Sequence, residues 1–206
     1  MVKVHYFYDP MCGWCYGAAS LIEAINDSED FELVCHPGGM MNRQVIAPSF
    51  RQHVLAADKV IESQTDAIFG EDYKARVAGK DKLIFDSYLT TCAILVAEDM
   101  GLNAFVMLKA IQVAHYQQGK QVEVQDTLKK LALQLGLNEA EWKQKMQQYE
   151  SKVVAVIQNT KKLMNHNQVN GFPTLLAEID DKWILLPHSS YAKKPLEWKG
   201  FLKTLG

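Results

Sequence analysis

The chain has 206 residues, 48% of them hydrophobic, enough to bury a core of ordinary size in one domain or in one domain with a large insertion. Lys+Arg of 22 against Asp+Glu of 24 gives a formal charge of -2, so no global basic field favours nucleic acid or an anionic membrane surface. The longest apolar run, Cys92 to Ala97, is far too short to span a bilayer.

The first forty residues read as strand, helix, strand. Val2, Val4, Tyr6 and Tyr8 alternate, where a signal peptide would show a basic leader and a continuous apolar stretch. A helix is expected over Gly13 to Ile25, with Ala18, Leu21, Ile22 and Ile25 at helical spacing. Phe31, Leu33 and Cys35 then alternate up to the turn signal Pro37-Gly38-Gly39.

From about Pro48 to Gln168 helical periodicity replaces the strand signals. Leu89, Ala93, Val96 and Met100 mark one face, with Gly101 as its C-terminal cap; Phe105, Leu108, Ile111 and Val113 mark a second helix. Leu128, Leu131 and Leu135 lead to Gly136, and Asn138 with Glu141 three residues on opens a long helix through Trp142, Met146, Val153, Ile157 and Met164. The tail returns to strands: Thr174 to Ile179 and Trp183 to Leu186 flank a turn at Asp180-Asp181, and Pro195 opens a last helix through Leu205. A βαβ head and a ββα tail around a helical block imply one α/β sheet interrupted by an insertion.

Cys12-Gly13-Trp14-Cys15 is the strongest chemical signal, because two intervening residues on the first turn of a helix bring the sulfurs within disulfide reach. The free N–H groups of a helix start favour a thiolate. The first cysteine of such a pair is normally the exposed one, so Cys12 attacks and Cys15 resolves. Four cysteines are too few for a disulfide scaffold, and without a signal pattern the expected compartment is the reducing cytoplasm. There a close thiol pair serves redox chemistry or holds zinc. Zinc would need two more ligands, for which Cys35-His36 are the candidates; a second close pair at zinc-ribbon spacing is absent from the sequence, and no metal is expected. Gly171-Phe172-Pro173-Thr174 is the second signal, since Pro at the start of a strand is where a cis peptide is tolerated.

The two motifs together resemble the DsbA-like thioredoxin families, in particular the FrnE-like cytoplasmic protein-disulfide isomerases. The likeness rests on Asp9-Pro10-Met11-Cys12-Gly13-Trp14-Cys15-Tyr16-Gly17 and on Val169-Asn170-Gly171-Phe172-Pro173-Thr174, with a helical stretch between. It implies an α/β thioredoxin fold (βαβ…ββα) with a large all-helical insertion: residues 1–47 and 165–206 as a discontinuous thioredoxin-like domain and 48–164 as the inserted one. It implies a thiol–disulfide oxidoreductase or protein-disulfide isomerase in which Cys12, Cys15 and the cis-proline Pro173 are catalytic, while Gly13, Trp14, Phe172 and Thr174 touch substrate. No cofactor beyond the Cys12–Cys15 disulfide is implied. Partners are disulfide-containing or dithiol proteins and a recycling reductant or oxidant, with neither nucleic acid nor membrane.

The sequence departs from the family at Tyr6, where many members carry a carboxylate proton relay six residues before the first cysteine. Asp9 lies nearer in sequence, but which way it faces is not legible. Two competing readings are a kappa-type glutathione transferase or isomerase, whose members typically carry serine where Cys12 stands, and a non-enzymatic zinc- or peptide-binding module. Cys35, Cys92, Phe105, Tyr116, Trp142 and most of the methionines are expected in the core and His36 in a turn, with Met11 and Met40 the two methionines that are candidates for lining a groove.

Overall fold

A computed structural model of the chain describes residues 1–180 and 182–205. The main sheet has four strands in the order β2-β1-β5-β6: β1 (Val2–Tyr8), β2 (Phe31–Pro37), β5 (Thr174–Ile179) and β6 (Lys182–Leu185). β1 runs parallel to β2, with Val2 opposite Phe31 and Tyr8 opposite Pro37, and antiparallel to β5, with Phe7 opposite Thr174. Because side chains alternate across a strand, Val4, Tyr6 and Tyr8 enter the main core while Phe7 joins a smaller cluster with Met164, Val169 and Leu176 on the opposite face. This is the thioredoxin fold with a helical insertion.

Between β1 and β2 lie α1 (Gly13–Gly17) and α2 (Ala19–Asn26), two helices where the periodicity predicts one. A neighbouring helix packs closely beside this junction. On α3 (Pro48–Gln64), Ile61 and Thr65 press so closely on Gly17 that a Cβ there would lie 2.8 Å from Ile61 Cγ2. The insertion continues through α4 (Glu71–Ala78), α5 (Ser87–Asp99), α6 (Ala104–Gln112), α7 (Gln125–Gln134), α8 (Glu139–Glu150) and α9 (Val153–His166). α5 sits at its centre, capped by Asp86, whose carboxylate accepts from the Tyr88 and Leu89 amides, and it buries Cys92, Ala93, Val96 and Ala97.

Four further expectations are corrected. A short two-stranded sheet, β3 (Gln44–Val45) with β4 (Ile84–Phe85), lies inside the stretch read as purely helical. The helix containing Phe105 ends at Gln112, and Val113 starts a π-helical turn to Gln117 that buries Ala114, His115 and Tyr116 together. The long helix from Asn138 breaks at Ser151-Lys152, because α8 buries Trp142 and Met146 in the insertion whereas α9 turns Ile157 and Met164 toward the sheet side. The last helix, α10 (Pro195–Leu202), stops before Leu205; its Trp198 is fully buried and donates through Nε1 to the Leu21 carbonyl at 2.9 Å. Of the expected Asp180-Asp181 turn, Asp180 has a left-handed φ of 49° and Asp181 lies outside the described residues. Among the described residues no helix is long and apolar enough to cross a membrane.

The two helical glycines on which packing differs make opposite predictions. Gly17→Val should cost about 1–3 kcal/mol in urea unfolding, because the added methyls have no room against Ile61 and Thr65. Gly200→Ala in α10, with nothing within 4 Å of the added Cβ, should stabilise by about 0.5–1 kcal/mol.

Candidate active site

β1 delivers the chain at its C-terminal end into Asp9-Pro10-Met11, and Cys12 caps α1 in an extended conformation. The Cys12 Sγ accepts from the Cys15 amide at 3.3 Å and lies 3.7 Å from the Phe172 carbonyl, toward which its thiol hydrogen points. The Phe172–Pro173 peptide is cis, and the Phe172 carbonyl contact places the second motif against the first. Both thiols are free. Cys12 keeps 6% of its surface exposed and Cys15 none, which makes Cys12 the residue of the pair that solvent reaches. Burial, then the hydrogen bond and charge of Cys12, push the Cys15 thiol well above the usual range.

Trp14, 40% exposed, stands at the lip. It borders a cleft of about 300 Å³ whose wall includes Gly17, Phe172, Pro173, Gln64 and His188. Gly13 and Thr174 do not line this cleft. The Thr174 hydroxyl donates to the Gly171 carbonyl at 2.8 Å, and Gly13 faces α3 instead.

The position six residues before Cys12 holds Tyr6, fully buried, its hydroxyl without a partner among the described residues and its phenol raised well above the ordinary value by burial first and the nearby Cys15 and Cys12 charges next. Asp9 is equally buried, but its carboxylate is a tie-point rather than a free base. Oδ1 accepts from the Met11 amide and the Ser87 hydroxyl at 2.9 and 2.8 Å, and Oδ2 from the Met40 amide at 2.7 Å, joining β1, the loop after β2 and the start of α5. Burial raises its pKa, and these three donors pull against that shift.

No pattern in the sequence marks a further buried carboxylate near the thiols, Asp58 on α3. Its Oδ1 lies 3.3 Å from where a Gly13 Cβ would be, and its Oδ2 accepts from the Tyr73 hydroxyl at 2.9 Å. Tyr116, on the π-helical turn, completes the cluster: burial, then Tyr73, Cys12 and Asp58, hold its phenol far above the ordinary value. The glycines at 13 and 17, one helical turn apart, were the available hint that a helix packs hard on α1.

The other cysteines sit apart from this chemistry. Cys92 is buried in α5 and Cys35 half-buried on β2; burial pushes each thiol to about 12. His36 is more than a turn residue. It lies 2.9 Å from His5 Nδ1 on the sheet face opposite the thiols, stacked on Phe7, and burial lowers its pKa to about 4. Cys35 points to the other face with Tyr6, so the dipeptide cannot close a zinc site with the thiol pair as a unit. Phe105, Tyr116 and Trp142 are core residues; Met11 is buried and Met40 half exposed.

A family model of the DSBA-like thioredoxin domain matches residues 3–192. The chain belongs to this family. Among solved structures it is similar to the cytosolic disulfide reductase DsbM from Pseudomonas aeruginosa, 33% identical, covering 98% of this chain and 97% of that one with a TM-score of 0.91. A second structure of DsbM, described as with GSH, is 32% identical over 98% of both chains with a TM-score of 0.89. DsbA from the same organism, 14% identical with a TM-score of 0.56 over 98% of this chain and 80% of that one, shares the fold. No sequence among curated proteins matches the chain. This DsbA-like protein is a thiol–disulfide oxidoreductase.

Burial raises the Asp58 pKa to about 6, with the Tyr73 bond opposing the shift. The folded protein therefore binds that proton more tightly than the unfolded chain, and stability falls as pH rises from about 4 through 6. Asp58→Asn should accordingly raise the melting temperature at pH 8 and leave it nearly unchanged at pH 4, as thermal unfolding at the two pH values would show.

Proposed function

We propose that this protein reduces protein disulfides in the cytoplasm, with Cys12 as nucleophile, Cys15 as resolving thiol and glutathione as the recycling reductant. The observation that carries the reading is the placement of Cys12 Sγ between the Cys15 amide and the Phe172 carbonyl, beside Pro173 and with a sliver of exposure that Cys15 lacks. The Cys12 thiolate attacks one sulfur of a substrate disulfide, and the other sulfur leaves as a thiolate that takes up a proton. Cys15 then loses its proton, attacks Cys12 and releases the second substrate thiol, so two electrons pass to the substrate and the Cys12–Cys15 disulfide forms. Two glutathione thiols return the electrons as glutathione disulfide.

The remaining assignments follow from position. The Phe172 backbone, next to Cys12, suits pairing with an extended substrate segment. The Trp14 ring and the cleft beside Pro173 suit one apolar side chain of that segment or the body of the glutathione tripeptide. The deep burial of Cys15 delays the second attack until the mixed disulfide has formed, because its thiolate is costly in the resting protein. The reductive direction is supported by the disulfide reductase DsbM at 33% identity over nearly the whole chain, and glutathione by the GSH in the description of the second DsbM structure.

Glutathione-driven reduction of insulin, followed by turbidity, tests the reading. Wild-type protein should turn over, Cys12→Ser should fall to the uncatalysed rate, and the dithiol potential should lie near the thioredoxin and glutaredoxin range of about -270 to -200 mV. Activity that survives Cys12→Ser, or a potential near the about -120 mV of DsbA, would contradict it.

A further inference from the structure

The helical insertion brings a carboxylate to the dithiol from outside the thioredoxin fold. Asp58 Oδ1 packs on Gly13, the residue after Cys12, and no side chain intervenes because Gly13 has none. The same side chain is 4% exposed and fixed by the Tyr73 hydroxyl. The charged and titratable groups that act on it are Glu62 from its own helix and Tyr73 and Lys74 from α4. Tyr116 on the π-helical turn lies near both Asp58 and the thiols Cys12 and Cys15, and the other buried carboxylate near the pair, Asp9, acts on Cys15. Lys74 is already held by Glu62 and Glu71 at 3.2 and 3.4 Å, and Arg76 beyond Tyr73 is held by Glu123 at 2.5 Å. Among the described residues Asp58 has no ion-pair partner of its own.

We propose that Asp58 is a positioning residue that poises the Cys12–Cys15 pair as a reductant, by setting a buried negative charge against the anionic form of Cys12. The inference rests on the redox reading of the pair and deepens its direction. In the exchange with glutathione disulfide, two electrons leave the Cys12 and Cys15 thiols, a bond forms between their sulfurs, and the disulfide of glutathione breaks to give two glutathione thiols. The product pair is neutral. Only the reduced pair can carry a thiolate, and a like charge nearby in a water-poor site raises the energy of that anionic form. Asp58 therefore drives the equilibrium toward the oxidised protein and the reduced partner, the opposite of DsbA, which is a strong oxidant because its reduced form is stabilised. The brake operates only while Asp58 is ionised. Since burial places that ionisation at about 6, it acts at neutral pH and is released under mildly acid conditions.

The test is the equilibrium of the Cys12–Cys15 pair with a glutathione redox buffer at pH 7.5 and at pH 5, read by alkylation and mass spectrometry in wild type and Asp58→Asn. The asparagine keeps the shape and can still accept from Tyr73. A shift of roughly tenfold toward the dithiol is expected in the variant at pH 7.5, about 30 mV more oxidising, with the two proteins converging at pH 5. An unchanged equilibrium at pH 7.5, or an equal shift at both pH values, overturns the proposal. Should Asp58→Asn fail to fold, Tyr73→Phe serves: without the hydroxyl Asp58 keeps its proton to higher pH, so the pair should become more oxidising at pH 6.5 by a smaller factor, and no change or the opposite sign overturns the idea. Because this equilibrium needs no protein substrate, it separates from the reductase reading, which fails on insulin turnover alone.

Discussion

The contact between α1 and α3 governs most of what is distinctive here. Gly13 and Gly17 lie one turn apart on the dithiol helix, and neither leaves room for a Cβ against Ile61 on α3. The absence of two side chains lets an inserted helix lie directly on the redox motif, so the insertion is part of the site rather than an appendage. The aromatic packing extends the same contact: Tyr16 of α1 stacks on Tyr116 at 4.7 Å and its hydroxyl donates to the Ile68 carbonyl, while Gln117 donates to it. From the other side Asp9 ties the end of β1 to Ser87 at the start of α5. The thiols are thus held between the sheet end and the insertion by ties on both flanks.

That enclosure sorts the two sulfurs chemically. Cys12 keeps a residual exposure and accepts a hydrogen bond from the Cys15 amide, whereas full burial raises the Cys15 thiol well above its usual range, an asymmetry that suits the proposed division into attacking and resolving thiol. It also redistributes the acid–base groups. Tyr6 replaces the carboxylate that many family members carry in the sheet, and the buried carboxylates near the motif are Asp9 at the end of β1 and Asp58 on a helix of the insertion.

Much of this was legible in the sequence, for definite reasons. Alternation in Val2 to Tyr8, the Cys12–Cys15 spacing on a helix start and Pro173 opening a strand are local patterns, and each carries its own geometry. The capping by Asn138 and the left-handed C-caps at Gly101 and Gly136 were equally local. What the pattern missed was set by contacts between distant segments. The close packing of α3 on Gly13 and Gly17 comes from a distant segment, the break at Ser151-Lys152 from two helices burying toward different neighbours, and the His5–His36 pair from strand register. Asp58 could not be found by spacing at all, since it lies 46 positions from Cys12 on an amphipathic helix where one more Asp reads as solvated surface.

The central claim is that Cys12 is the sulfur that meets substrate. It is tested most directly by exposing Cys15→Ser protein to glutathione disulfide and mapping the modified residue by peptide mass spectrometry. The account predicts one stable mixed disulfide, at Cys12, with Cys35 and Cys92 untouched because burial holds both thiols near about 12. An unmodified Cys12, or glutathione found instead on Cys35 or Cys92, would contradict it.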